Sequence, residues 1–175
     1  MEIFSKYKTV WLFLLKFFGV YILGVLIYNF YLSDYIDHVD SATAMMTEQV
    51  ARLFSITLPE ITTYYSCEAP LAEVHYMGVP LIAMIEGCNA ISVMILFIAF
   101  LVAFTGKLKQ YLWFIPIGLL AIYLANISRI YLIGMIVLYF PNYVDAAHDY
   151  LFPGIIYGTV FMLWVIWVKF LVSKK

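Results

Sequence analysis

Apolar residues occupy this chain in four long runs with few polar interruptions, as in helices whose whole circumference faces lipid or other helices. Residues 10–32 make the first run, 88–105 the second, 111–140 the third and 152–171 the fourth. A transmembrane helix needs about 20 mostly apolar residues to cross about 30 Å of hydrocarbon, so each run predicts one crossing. The first reads as an uncleaved span. It is longer than a signal-peptide apolar core, contains Lys16 close enough to its start to snorkel, and lacks a small-x-small site before Ser33. The third run would be about 45 Å long as helix, too long for one perpendicular crossing and too short for two plus a turn. It predicts a crossing over 111–129, with the rest tilted, protruding or bent along the outer interface.

The pattern changes between residues 33 and 87. Val39, Ala42, Met46, Val50 and Leu53 recur at spacings of three and four, which predicts an amphipathic helix lying on the membrane face and ended by Pro59. Residues 62–66 and 73–76 are rich in Thr, Tyr and Val with partial alternation, which predicts a short β-hairpin. About 55 residues with so few aliphatic core positions cannot fold alone, so the segment is expected to cap the helix ends.

Composition excludes whole classes of function. Of 175 residues 65% are hydrophobic and only 12% charged, against about 45–50% and about 25% in soluble domains. There is too little polar surface for a cytosolic enzyme, a disordered regulator or a nucleic-acid binder. The expected fold is an all-α integral membrane protein, a single domain over 1–175. It has about four spans (10–32, 88–105, 111–129 and 152–171) and an outer cap over 33–87.

The net charge of −1 conceals a sharp division. Four spans put both termini and the Lys107/Lys109 linker on one side, together with Lys6, Lys8, Lys16, Lys169, Lys174 and Lys175. That side carries +7 and the other −8, with Glu2 the one acid among the lysines. The positive-inside rule then makes both termini cytoplasmic and places the acidic face outside the cytoplasmic (inner) membrane. Only Arg52 and Arg129 are basic residues away from the lysine side.

Ionisable groups near spans are costly and need a reason. Arg129 closes the third span in Asn126-Ile127-Ser128-Arg129; alone it reads as a snorkelling arginine paired with an outer acid such as Asp145. His148 precedes the fourth span and alone is an ordinary loop histidine, while nothing marks out His38 or His75. Cys88, in Glu86-Gly87-Cys88-Asn89-Ala90, opens the second span. It reads as half of a disulfide with Cys67, as a small buried residue, or as a thiol activated by the helix N-terminus and Arg129. No histidine or cysteine spacing calls for a metal.

Depth brings the three together. At about 1.5 Å per residue, Cys88 lies about 28 Å above Lys107, Arg129 about 30 Å above Lys109 and His148 about 31 Å above Lys169. Three spans thus deliver a thiol, a guanidinium and an imidazole to one layer at the outer face.

At these sites the chain resembles the exosortase/archaeosortase family of multi-span membrane cysteine transpeptidases, over about residues 74–170. The resemblance is carried by Cys88-Asn89-Ala90-Ile91 opening a span, by Asn126-Ile127-Ser128-Arg129-Ile130 ending the next, and by His148 before the last, followed by Gly154 and Gly158. The family commonly has Ser-Gly where this chain has Asn89-Ala90, and full-length members have more spans, so the chain looks like a compact form. The resemblance implies Cys88 as nucleophile, His148 as acid and base, and Arg129 as oxyanion stabiliser, with Asn126 and Asn89 in support. It implies no cofactor. Its partners are the bilayer and the C-terminal sorting-signal region of membrane-anchored proteins, which the enzyme cleaves, with or without transfer to an acceptor. The rival expectation is a non-catalytic scaffold or assembly factor with a Cys67–Cys88 disulfide. A small transporter fits poorly, because Lys16 alone approaches mid-membrane.

Overall fold

The structure, a computed structural model, describes residues 7–67, 69–104 and 106–172, with side chains to Lys169. Lys6, Lys174, Lys175, Glu2, Glu68 and Thr105 lie outside the described residues.

Helix α1, Lys8–Leu32, is followed by α2, Ser41–Thr57. A meander of β1 (Ile61–Tyr65), β2 (Ala72–Tyr76) and β3 (Val79–Met84) comes next. A single tight turn, Glu86–Cys88, leads to α3, Ile91–Ala103. Helix α4 spans Leu108–Tyr139, and α5 spans Pro141–Lys169. Three of these helices, α1, α4 and α5, are long and apolar enough to cross a membrane. The second run is shorter than its sequence suggested: α3 has 13 residues, about 20 Å of helix. Residues 86–88 form a tighter 3-10 turn set off from α3 by the left-handed Ala90 at one end, and Phe104 turns extended at the other.

Aromatic and polar contacts fix the directions of the helices. Phe13 of α1 meets Phe100 and Phe104 of α3, while Tyr28 near the other end of α1 bonds Asn89. Phe97 of α3 meets Phe114 of α4, and Trp167 of α5 packs on Tyr111 and Phe114. Neighbouring helices in this series are therefore antiparallel, and Lys16, Lys107, Lys109 and Lys169 gather at one end. The Tyr111 hydroxyl closes the α3–α4 turn by bonding the Phe104 carbonyl and the Gly106 amide.

Helix α4 explains the overlong third run. It continues unbroken to Tyr139, beyond the 111–129 crossing, because its upper part has a partner. Ile130 lies in a core with Met46, Val50, Phe54, Val74, Leu81, Ile82 and Met84 of the cap. A second core, with Phe97, Leu101, Phe114, Ile122, Val160 and Trp167, joins α3, α4 and α5 lower down. The Gly134 position lets α4 approach α2: a Cβ there would stand 2.3 Å from Phe54 Cζ. Helix α5 begins eleven residues before the expected 152, descending antiparallel to α4 from the corner at Phe140.

The cap also departs from expectation. Asp40 starts α2 by accepting from the Ala42 and Thr43 amides, each at 3.0 Å, a cap worth about 1 kcal/mol. Leu58, before Pro59, is extended and ends it. The buried stripe is Thr43, Met46, Thr47, Val50, Ala51 and Phe54, rotated from the predicted one because two threonines are buried and Val39, Ala42 and Leu53 only partly so. The expected hairpin has a third strand. Met77 and Gly78 take φ 53° and 77°, the positive values that a two-residue turn between twisted strands requires, and they return the chain into β3.

Candidate active site

Polar residues buried in this molecule collect at the junction of the two cores. Asp40, Thr43, Thr47, Asn89 and Asn126 are all within 3% of complete burial. Asn126 sits on α4 between Ile122 of the lower core and Ile130 of the cap core.

Cys88 ends the tight turn that follows β3. Its amide donates to the Ile85 carbonyl at 2.8 Å, and the Asn89 amide donates to Glu86 at 3.2 Å. Asn89 Oδ1 then accepts from the Ile91 amide at 2.9 Å and starts α3. Asn89 Nδ2 donates to the Tyr28 hydroxyl at 2.8 Å and to Thr43 Oγ1 at 3.1 Å, tying α1, α2 and α3 at one level. Ala90 adopts φ 61°, a left-handed conformation that costs an alanine about 1–2 kcal/mol. Cys88 therefore stands just ahead of the helix rather than in its first turn, which weakens the helix-dipole argument for activation.

Asn126 links Cys88 to Arg129. Its Nδ2 donates to the Cys88 carbonyl at 2.7 Å and reaches Met46 Sδ at 3.0 Å. Arg129 Nη1 makes a long contact of 3.5 Å to Asn126 Oδ1, and Arg129 Nε is buried without a hydrogen-bond partner. Among the described residues the ion pairs are Arg52–Glu48, His75–Glu73 and His148–Asp149. The expected Arg129–Asp145 pair does not form. Asp145 follows the Phe140 corner by only five residues, which leaves it about 9 Å higher than Arg129 along the helices.

His148 lies in a widened π turn, Ala147–Leu151, of α5. Such turns are frequent at functional sites. Counted down from Phe140, His148 lies about 12 Å and Arg129 about 16 Å along their helices, within one turn of each other. The imidazole is exposed, and its Nδ1 meets Asp149 Oδ1 at 3.2 Å. The structure thus joins Cys88, Asn89, Asn126 and Arg129 by contact or adjacency and leaves His148 on the facing helix, outside that set of contacts.

Both cysteines are free, Cys67 exposed and Cys88 half-buried. This overturns the Cys67–Cys88 disulfide. Cys67 follows β1 and Cys88 follows β3, with β2 between them. Strands two apart are about 10 Å apart, whereas a disulfide needs Cα atoms within about 7 Å. Among the described residues no group of three His, Cys, Asp or Glu could hold a metal ion.

Sequence reasoning missed Tyr28, Thr43 and the part played by Met46, which complete this layer. A signal for Tyr28 was available, since a tyrosine one turn from a span end marks the interface. Thr43 enters only through the rotation of α2, and Met46, already in the predicted stripe, is read there without its link to Asn126. Comparison with family models, curated proteins and solved structures finds no match to this chain.

Proposed function

We propose that this chain is a membrane-embedded cysteine peptidase or transpeptidase, resembling the exosortases, that acts on proteins with a C-terminal sorting signal. In this reading α3 serves as a fourth crossing, both termini are cytoplasmic, and the site opens at the outer face of the cytoplasmic membrane. The observation that carries it is the state of Arg129. An arginine with no carboxylate partner among the described residues, in a region rich in acids, is suited to a charge that a substrate brings. Its tether, Asn126, also holds the Cys88 backbone. Ala90 adds support, because the resembled family commonly has glycine at that position and φ 61° favours glycine.

The chemistry follows from these groups. His148 takes the Cys88 proton, and Sγ attacks the scissile carbonyl carbon, forming the S–C bond. The oxyanion develops against Arg129. The C–N bond then breaks as the imidazolium returns its proton to the leaving amine, and a thioester remains on Cys88. Water or an acceptor nucleophile gives its proton to His148, adds to the thioester carbonyl and expels the thiolate.

The test is processing of membrane-anchored proteins in cells carrying Cys88→Ala or Cys67→Ala. Cys88→Ala is expected to accumulate unprocessed precursor, and Cys67→Ala to match wild type. Normal processing in Cys88→Ala cells ends the enzyme reading. The rival is a non-catalytic scaffold, favoured by the exposed position of His148 away from the other groups; it predicts no precursor in either variant.

A further inference from the structure

The β-meander has two outer edges, and they differ. β3 carries Pro80 and follows directly into the Cys88 turn. β1 reads Ile-Thr-Thr-Tyr-Tyr, with neither proline nor charge inside the strand. Edges left without such protection are templates for another strand.

Register shows what this edge offers. Met77 donates to Glu60 at 3.2 Å and Ser66 to Leu71 at 3.0 Å, both directly opposite pairs. Antiparallel pairs alternate, so Thr62 and Tyr64 bond to β2 while Ile61, Thr63 and Tyr65 turn their amides and carbonyls outward. Beside them a cleft of about 520 Å³ opens between β1 and α2, lined by Ile61, Thr62 and Thr63 and by Glu48, Arg52 and Ser55.

The cleft has a direction. Residues 58–60 reverse the chain after α2, so β1 runs back along that helix. The Ile61 end lies by Ser55, and the Tyr65 end reaches Glu48. Tyr65 pairs with Ala72 and Ala72 with Met84, four residues before Cys88, so the Tyr65 end of β1 is the Cys88 end of the sheet. An extended chain laid on β1 would therefore run toward the nucleophile.

We propose that β1 binds an extended segment of the substrate as a fourth strand, through the outward groups of Ile61, Thr63 and Tyr65. Main-chain pairing supplies affinity and the α2 wall supplies side-chain selectivity. This rests on the peptidase reading and adds how that site takes its substrate.

The experiment uses the full chain in membranes and a membrane-anchored protein whose processing is lost in Cys88→Ala. Thr63→Pro deletes an outward amide and leaves the β2 ladder intact, as proline does on edge strands. Ser55→Trp fills the cleft from an exposed helix position and decides the matter if Thr63→Pro folds poorly. Both are expected to slow processing about tenfold, with Cys88 alkylation by N-ethylmaleimide within about twofold of wild type. Wild-type processing in both variants, with Cys88→Ala still inactive, overturns strand addition and leaves the peptidase reading standing. Unchanged processing with loss of a dimer in Thr63→Pro also overturns it, in favour of pairing between copies of the chain. Normal processing in Cys88→Ala removes both.

Discussion

The side-chain amide of Asn126 donates a 2.7 Å hydrogen bond to the backbone carbonyl of Cys88, 38 residues away in the chain. This bond holds the cap-to-bundle turn against α4 at the level of Arg129. Asn126→Leu keeps the size of the side chain but strands the Cys88 carbonyl and releases Arg129. An unsatisfied buried group costs about 1–3 kcal/mol. Thermal unfolding in detergent should show a loss of that size, and Cys88 should alkylate at a changed rate. Wild-type stability and reactivity would remove Asn126 from the account.

Cap and bundle meet through a glycine. At Gly134 a Cβ would lie 2.3 Å from Phe54 Cζ, and Phe54 is fully buried, so its ring has nowhere to move. Gly134→Ala is expected to cost about 1–3 kcal/mol through overpacking. Gly154 has nothing within 4 Å of such a Cβ, so Gly154→Ala should leave unfolding within about 0.5 kcal/mol of wild type. Equal effects at both positions would contradict the described α2–α4 contact.

Ala90 separates backbone conformation from packing. Its φ of 61° suits glycine, and the relief on Ala90→Gly is offset by glycine's greater freedom when unfolded. That variant should stay within about 1 kcal/mol of wild type. Ala90→Val puts a β-branched residue in a left-handed, 5%-exposed position and should destabilise by about 1–3 kcal/mol. Comparing the two melting curves checks this.

Much of this architecture was legible beforehand. The apolar runs, the lysine end, the stop at Pro59 and the first two strands all follow from periodicity and charge. What escaped has local physical causes. Apolar content alone does not reveal that Asn89 and Ala90 pull the start of α3 back to Ile91. Thr43 and Thr47 read as polar until helix α2 buries them. Val79–Met84 carried no strand expectation, and the Met77-Gly78 turn brings it back beside β2 as a third strand. The upper half of α4 is helical because the cap covers it, a tertiary cause. Cys88, Arg129 and His148 could be matched in depth from sequence, but the Asn126 bridge between the first two, and the exposed place of His148, required the fold.

Tyr65 gives a pH dependence. Burial first, then the Glu48 carboxylate, raise its phenol above the ordinary 10.0. The folded chain then keeps the proton where the unfolded chain loses it. Its contribution to stability is complete below about pH 10 and is lost as pH rises from there through the raised folded value. Melting temperature should therefore fall more steeply above about pH 10 in wild type than in Tyr65→Phe. Parallel curves would contradict the burial of this phenol beside Glu48.

The most direct measurement of the central claim is mass spectrometry of the Cys88 peptide from protein isolated out of cells processing sorting-signal proteins. The account predicts an acyl thioester on Cys88 that neutral hydroxylamine releases, absent from Cys67 and from the Cys88→Ala variant. Active processing with Cys88 never acylated, or an acyl group on Cys67 instead, would contradict it.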